Sequence, residues 1–242
     1  MGSARPRRRG RRLLGAALAA LILMPLVVLA AFDLRLASAL DRIHGAFDGL
    51  DDRPPVATDG SVTTLMLATG DGLASSPALT WMRDDPAVVT AMLVTVSGDR
   101  RTAYVDWLPL NEQLVDGLAD ARPSAAVSAT EAWTGRRVDH LAVVEWSVFS
   151  DLGRDNEVPA ELAPGTGRRE QQAYLREVLK DTLHTEMRKE PWTLYRALHT
   201  VASGMAVEDG WSAFDMNRLV FSMRNMRSYD IILGSLDEPA GR

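Results

Sequence analysis

The hydropathy pattern divides the chain near residue 33. Positions 13–32, LLGAALAALILMPLVVLAAF, run for twenty residues without a charge. At a rise of about 1.5 Å per residue, a helix of that length crosses the ~30 Å hydrocarbon core of a bilayer. Six arginines stand ahead of it: Arg5, Arg7, Arg8, Arg9, Arg11 and Arg12. A basic flank stays in the cytoplasm, so residues 1–12 read as a cytoplasmic tail and the C-terminal mass as extracytoplasmic. Pro25 kinks such a helix without excluding it. The competing reading is a cleaved signal peptide, because Ala37, Ser38 and Ala39 resemble a small-residue cleavage site. Against it, the apolar run is longer than the usual signal-peptide core, and Asp33 and Arg35 separate it from that site. The pattern favours a single-pass membrane anchor, and both readings export the domain.

Past residue 32 the apolar stretches shorten. Leu36, Leu40, Ile43, Phe47 and Leu50 recur at helical spacing until Pro54, Pro55 and Gly60 break the rhythm, which predicts a stalk or linker over 33–60. The domain proper is expected over 61–236. SVTTLMLATG (61–70) reads as a buried strand ending in a Gly-Asp-Gly turn. VVTAMLVTV (88–96) and RTAYVDWLPL (101–110) follow, joined as a hairpin through SGDR, and RVDHLAVVEWSVF (137–149) is a fourth strand. Helical faces come next. One runs from Glu170 through Tyr174, Leu175, Val178, Leu179 and Leu183; another begins at Pro191; a third is capped by Ser212. YDIILGSL (229–236) predicts a short closing strand, before a polar tail at 237–242. Strands alternating with helices imply an α/β fold, a three-layer α-β-α sandwich around a central mixed sheet.

Charge narrows the partners. The protein has 27 basic and 32 acidic residues, so the part beyond the six N-terminal arginines carries about −11. A compact acidic domain is a poor nucleic-acid binder, because affinity there comes mostly from neutralising phosphates. With no cysteine, disulfides and thiolate metal sites are excluded. No phosphate-binding glycine loop, dinucleotide fingerprint, zinc-protease motif or nucleophile elbow is present. The four histidines are scattered, and His140, in an alternating strand, reads as a satisfied structural residue. Asp71 sits at a strand end, where carboxylates bind Mg²⁺, although Asp before Gly is also ordinary turn chemistry. In GTGRREQQAYL (165–175), Arg168 and Arg169 open a helix. Its unpaired N–H groups and partial positive charge suit an anion, while Glu170 opposes one.

In this order the segments resemble the LytR-CpsA-Psr family of cell-envelope proteins, also named for the cell envelope-related transcriptional attenuator domain. The resemblance spans about residues 32–236 behind an arginine-rich start and one membrane helix. RPPVATDGSVTTLMLATGDGLA is similar to the family's strand ending in Gly-Ser-Asp-Ser-Arg. TAMLVTVSGDRRTAYVDWLP resembles its Asp-Thr-Met-Met-Leu hairpin, TGRRVDHLAVVEWSVFSDLG its Gly-x-x-Ile-Asp-His strand, and GRREQQAYLREVL its Arg-x-x-Arg-Gln-Gln helix. The resemblance implies a transferase at the outer membrane face. It would move a phosphate-linked glycopolymer from a polyprenyl pyrophosphate carrier onto peptidoglycan, with Mg²⁺ and arginines holding the pyrophosphate. Asp71 matches the first metal carboxylate, and Arg168 or Arg169 the phosphate-binding helix.

Several family positions differ. Leu73 replaces an arginine, Ala87, Val88, Val89 and Thr90 replace Arg-Ser-Asp-Thr, Leu110 replaces an arginine, and Glu170 stands where the second helix arginine belongs. The expectation is a degenerate member that binds a polyprenyl-linked lipid or a wall-assembly protein. One alternative is an active Mg²⁺-dependent phosphotransferase rebuilt from Arg83, Asp84, Asp85 and Arg168. Another is an interaction module in which Trp81 and Trp107 fill the lipid space.

Overall fold

The computed structural model describes residues 40–70, 81, 88–110, 117, 122–148, 167–182 and 204–236, with the backbone alone at 168 and 178–182. The expected membrane span at 13–32, the helix at Pro191 and the tail at 237–242 lie outside these residues. Among the described residues no helix is long and apolar enough to cross a membrane.

Seven strands form one sheet: β1 (Asp41–Ile43), β2 (Val62–Thr69), β3 (Val88–Val96), β4 (Ala103–Leu108), β5 (His140–Glu145), β6 (Met205–Glu208) and β7 (Ile231–Ser235). Their spatial order is β1-β6-β5-β2-β3-β4-β7. The sheet is mixed. β2 pairs parallel with β5 and antiparallel with β3, β3 is antiparallel to β4, and β7 adds parallel to β4. Hence β2, β4, β5 and β7 end at the same edge of the sheet. The β3–β4 hairpin forms where SGDR predicted it: Ser97 N–H donates to Thr102 O at 2.9 Å, and Asp99 accepts from the Ser97 hydroxyl at 2.7 Å.

The longer helices are α1 (Pro123–Thr134), α2 (Arg168–Thr182) and α3 (Ala213–Ser222), with a short 3-10 turn at Ser228–Asp230. Period-two alternation sorts the strand side chains onto the two sheet faces. On one face Leu65, Leu67, Ala91, Leu93, Leu141 and Val143 pack against Ala126 and Val127 of α1. On the other, Ala68 and Val144 meet Tyr174 of α2, while Met92 and Trp107 meet Leu175. Leu219 of α3 and Met223 beyond it cover Val96 and Ala103 on that same side. Helices therefore flank both faces of a central mixed sheet, as the sequence predicts.

Two elements depart from expectation. Residues 41–60 belong to the domain, not to a stalk: β1 pairs parallel with β6, and Ile43 and Ala46 are buried in the main core. The helical spacing of Ile43, Phe47 and Leu50 is burial through a strand and turns, because Gly45 and Gly49 take φ of +71° and +66°. Arg53 then ties this segment to α1, with Nη2 2.7 Å from Glu131 Oε1. The sequence reading also passed over α1. Pro123 starts it, and its buried Thr130 and Thr134 hydroxyls donate to carbonyls one turn back. Gly135 ends it in the left-handed conformation at φ 63°.

Candidate functional site

The sequence pointed to Asp71 at a strand end and to the arginines at a helix start; in the structure α2 begins at the shared carboxyl edge of β2, β4, β5 and β7. Asp71 and Arg83 lie outside the described residues. Arg168 opens α2, its side chain undescribed, and Arg169 is exposed beside it.

The first turn of α2 is occupied by the protein's own carboxylate. Gly167 O accepts from the N–H groups of Glu170 and Gln171 at 3.0 and 3.1 Å, and Glu170 Oε2 accepts from Gly167 N–H at 3.1 Å. This is the reciprocal half of a capping box, and it sets a negative charge at the positive end of the helix. The two glutamines have structural roles. Gln171 is buried, with Oε1 accepting from the Trp107 indole N–H at 3.2 Å, and Gln172 Nε2 donates to Gly234 O at 3.2 Å. They fasten α2 to β4 and to β7. The sequence offered Arg168 and Arg169 as anion ligands and Glu170 as their opponent; the signal it missed was the Gly-x-x-Glu spacing of a cap.

The neighbouring strand ends are apolar. Val88 packs against the core under α1 and Val89 against the cluster under α2, so the start of β3 is clamped from both faces. Leu110, past the end of β4, is exposed. Thr69 is fully buried, and its hydroxyl has no hydrogen-bond partner among the described residues. Its register partner on β5 is Glu145, the one carboxylate that the described residues place at the ends of these four strands. No group of three or more histidine, aspartate or glutamate side chains among the described residues could hold a metal ion. The set Thr69, Glu145, Val88 and Val89 is therefore not a Mg²⁺ cage by itself, and no chemical step is assigned to that ion.

Trp81 and Trp107 are both buried, but on opposite faces of the sheet. Trp81 joins the core under α1, and Trp107 joins Met92 and Val105 under α2. The two cannot fill one space. Trp107, Trp146 and Tyr174 supply the aromatic bulk beneath α2 instead.

No protein-family model matches the sequence, and no curated protein matches it. Its architecture has clear counterparts among solved structures. It is similar to the LytR-Csp2A-Psr enzyme from Actinomyces oris, with a TM-score of 0.55 at 14% identity over 81% of this chain and 87% of that one. It is also similar to protein gbs0355 from Streptococcus agalactiae, with a TM-score of 0.53 at 14% identity over 73% and 77% of the two chains. The class is thus an α/β sandwich domain whose sheet edge meets a helix start. The chain has the LytR-CpsA-Psr fold.

Proposed function

We propose that this chain is a membrane-anchored, extracytoplasmic protein of cell-wall assembly that binds a polyprenyl-phosphate-linked glycopolymer carrier without transferring its cargo. The fold and the hydrophobic N-terminal run support the setting. The observation that carries the loss of transfer is the start of α2, where Glu170 caps the helix and Gln171 and Gln172 are held by Trp107 and Gly234. A pyrophosphate brought there meets a carboxylate instead of a second guanidinium. Removing one preorganised stabilising donor costs about 2.7–4 kcal/mol in a transition state. Losing several arginines and a carboxylate therefore lowers turnover by many orders of magnitude. A second reading, an interaction module that takes a wall-assembly protein in place of lipid, is favoured by the buried Trp107, Trp146 and Tyr174 beneath α2.

The test starts from full-length protein purified from membranes in mild detergent, beside a catalytically intact relative. Native mass spectrometry should find a co-purifying polyprenyl phosphate or pyrophosphate, and a transferase assay should find no turnover. Turnover of a polyprenyl-pyrophosphate substrate that depends on Mg²⁺ and is abolished by Asp71→Ala sinks the proposal. Repeated absence of lipid, with the relative loaded, transfers support to the interaction module.

A further inference from the structure

At the end of the sheet opposite the start of α2 lies a pocket of roughly 510 Å³, lined among others by Arg100, His140, Trp211, Asp215 and Arg218. Its walls come from four separate stretches: the first residue of β2, the β3–β4 hairpin, the first residue of β5, and the β6–α3 connection running into α3. None belongs to the site described above.

His140 is fixed in two directions. Nδ1 lies 2.9 Å from Oε1 of Glu208, a residue only 3% exposed. With Glu208 as a carboxylate its oxygen only accepts, so Nδ1 is the donor of this bond, and Nε2 has no partner among the described residues. The imidazole also stacks on Trp211, with centroids 4.1 Å apart and planes 7° from parallel. Trp211 is held in turn, because Arg42 Nη1 donates to its carbonyl at 2.7 Å and to that of Glu208 at 3.3 Å.

The cations are differently arranged. Arg100 has φ of +61°, a left-handed conformation uncommon for a residue other than glycine. Only its Nη1 is engaged among the described residues, donating to Ser97 O at 3.2 Å. The Arg218 side chain makes no hydrogen bond or ion pair to any described residue. One carboxylate lines the pocket, Asp215, and it serves the α3 cap: its Oδ2 accepts from the Ser212 hydroxyl at 2.6 Å. Two guanidinium forks and an oriented imidazole thus face one cavity in a domain whose overall charge is negative.

We infer that this pocket binds the phosphate group of a phosphorylated ligand. A phosphate presents three terminal oxygens, enough to accept from both guanidinium groups and still reach the imidazole, whereas a carboxylate has two. Nε2 serves in either protonation state: as imidazole it accepts from a P–OH group, and as imidazolium it donates. The inference does not rest on the fate of the transferase site, which lies at the other edge of the sheet.

The experiment is calorimetric titration of the full-length protein in mild detergent with inorganic phosphate, glycerol 3-phosphate and glucose 1-phosphate. Saturable binding is expected. Arg100→Gln and Arg218→Gln should each weaken it by about tenfold or more, the loss of one charge-assisted hydrogen bond. Equal affinity for all three probes means that the phosphate alone is read; preference for either ester identifies the esterified source and extends the site to the attached group. Arg218 is exposed on α3, so its variant tests the site without threatening the fold, and melting curves of both variants check this. The inference is overturned if no probe saturates the wild-type protein, or if both variants bind as it does.

Discussion

Truncating Glu131 is the most informative single perturbation of this fold. Its side chain is 5% exposed and joins three parts of the molecule. Oε1 lies 2.7 Å from Arg53 Nη2 and accepts the Val138 N–H at 2.8 Å, and both oxygens lie 3.2 Å from Arg53 Nε. Arg53 also donates to the Val138 carbonyl and sits 4.7 Å above the Phe47 ring. Glu131→Ala strands a guanidinium that is 15% exposed, together with one buried backbone N–H. Removing one partner of a buried pair costs about 3–5 kcal/mol. For a chain of this size each kcal/mol shifts the midpoint by about 2–4 °C, so a fall of about 6–20 °C is expected. Thermal melting of the full-length protein in detergent, followed by near-ultraviolet circular dichroism, measures it. Glu131→Gln keeps an acceptor for Val138 and should lose less. The double variant Arg53→Met, Glu131→Leu should regain most of the loss, because an apolar pair carries no stranded charge. A fall of under about 2 °C for Glu131→Ala refutes the reasoning, and with it the role of this pair in binding residues 44–60 to the domain.

Three further outcomes follow from single contacts. Gly98→Ala should destabilise the β3–β4 hairpin by about 1–3 kcal/mol, because the new Cβ would lie 1.8 Å from the Asp59 carbonyl oxygen and only backbone movement relieves it; a melting point equal to wild type contradicts this. Gln171→Leu leaves the Trp107 indole N–H buried and unpaired, at a cost of about 1–3 kcal/mol. Adding Trp107→Phe should make the two losses less than additive, and strict additivity in denaturant titrations argues against the bond. The Asp99 carboxyl is held below its ordinary value of 3.8, first by the Ser97 hydroxyl and then by the Arg101 N–H. A depressed folded pKa gives stabilisation that is present above the unfolded value and lost as pH falls through the folded one. Asp99→Asn should therefore differ from wild type at neutral pH and converge with it in acid, which paired melts across the acid range will show.

Much of the architecture was legible because local pattern and tertiary role coincide. The run Val88–Val96 has a β-branched composition that suits only a buried strand, and it forms β3 over those same residues. Ser212 caps α3 by accepting from Asp215 N–H at 3.1 Å, an interaction contained within four residues. β1 was not legible, because three residues cannot announce a strand whose hydrogen-bond partner, β6, is about 165 positions away. α1 escaped because its buried side is mostly small or polar, alanine, serine, threonine and one glutamate, with Val127 and Pro123 as its larger apolar residues.

The sequence by itself determined the run of charge-free residues at 13–32, the strands β2 to β5 and β7, the helices α2 and α3, and the apolar residues at Leu73, Val88, Val89 and Leu110, since these depend only on residue identity and neighbours along the chain. Tertiary structure alone decided what the polar residues do. Glu170 became a cap, Gln171 a partner for Trp107, Glu131 a buried bridge, and His140 a ring held between Glu208 and Trp211. A polar side chain has the same composition in a cap, a bridge or a ligand site. Its function is fixed by the partner within about 3 Å, and folding brings that partner from elsewhere in the chain.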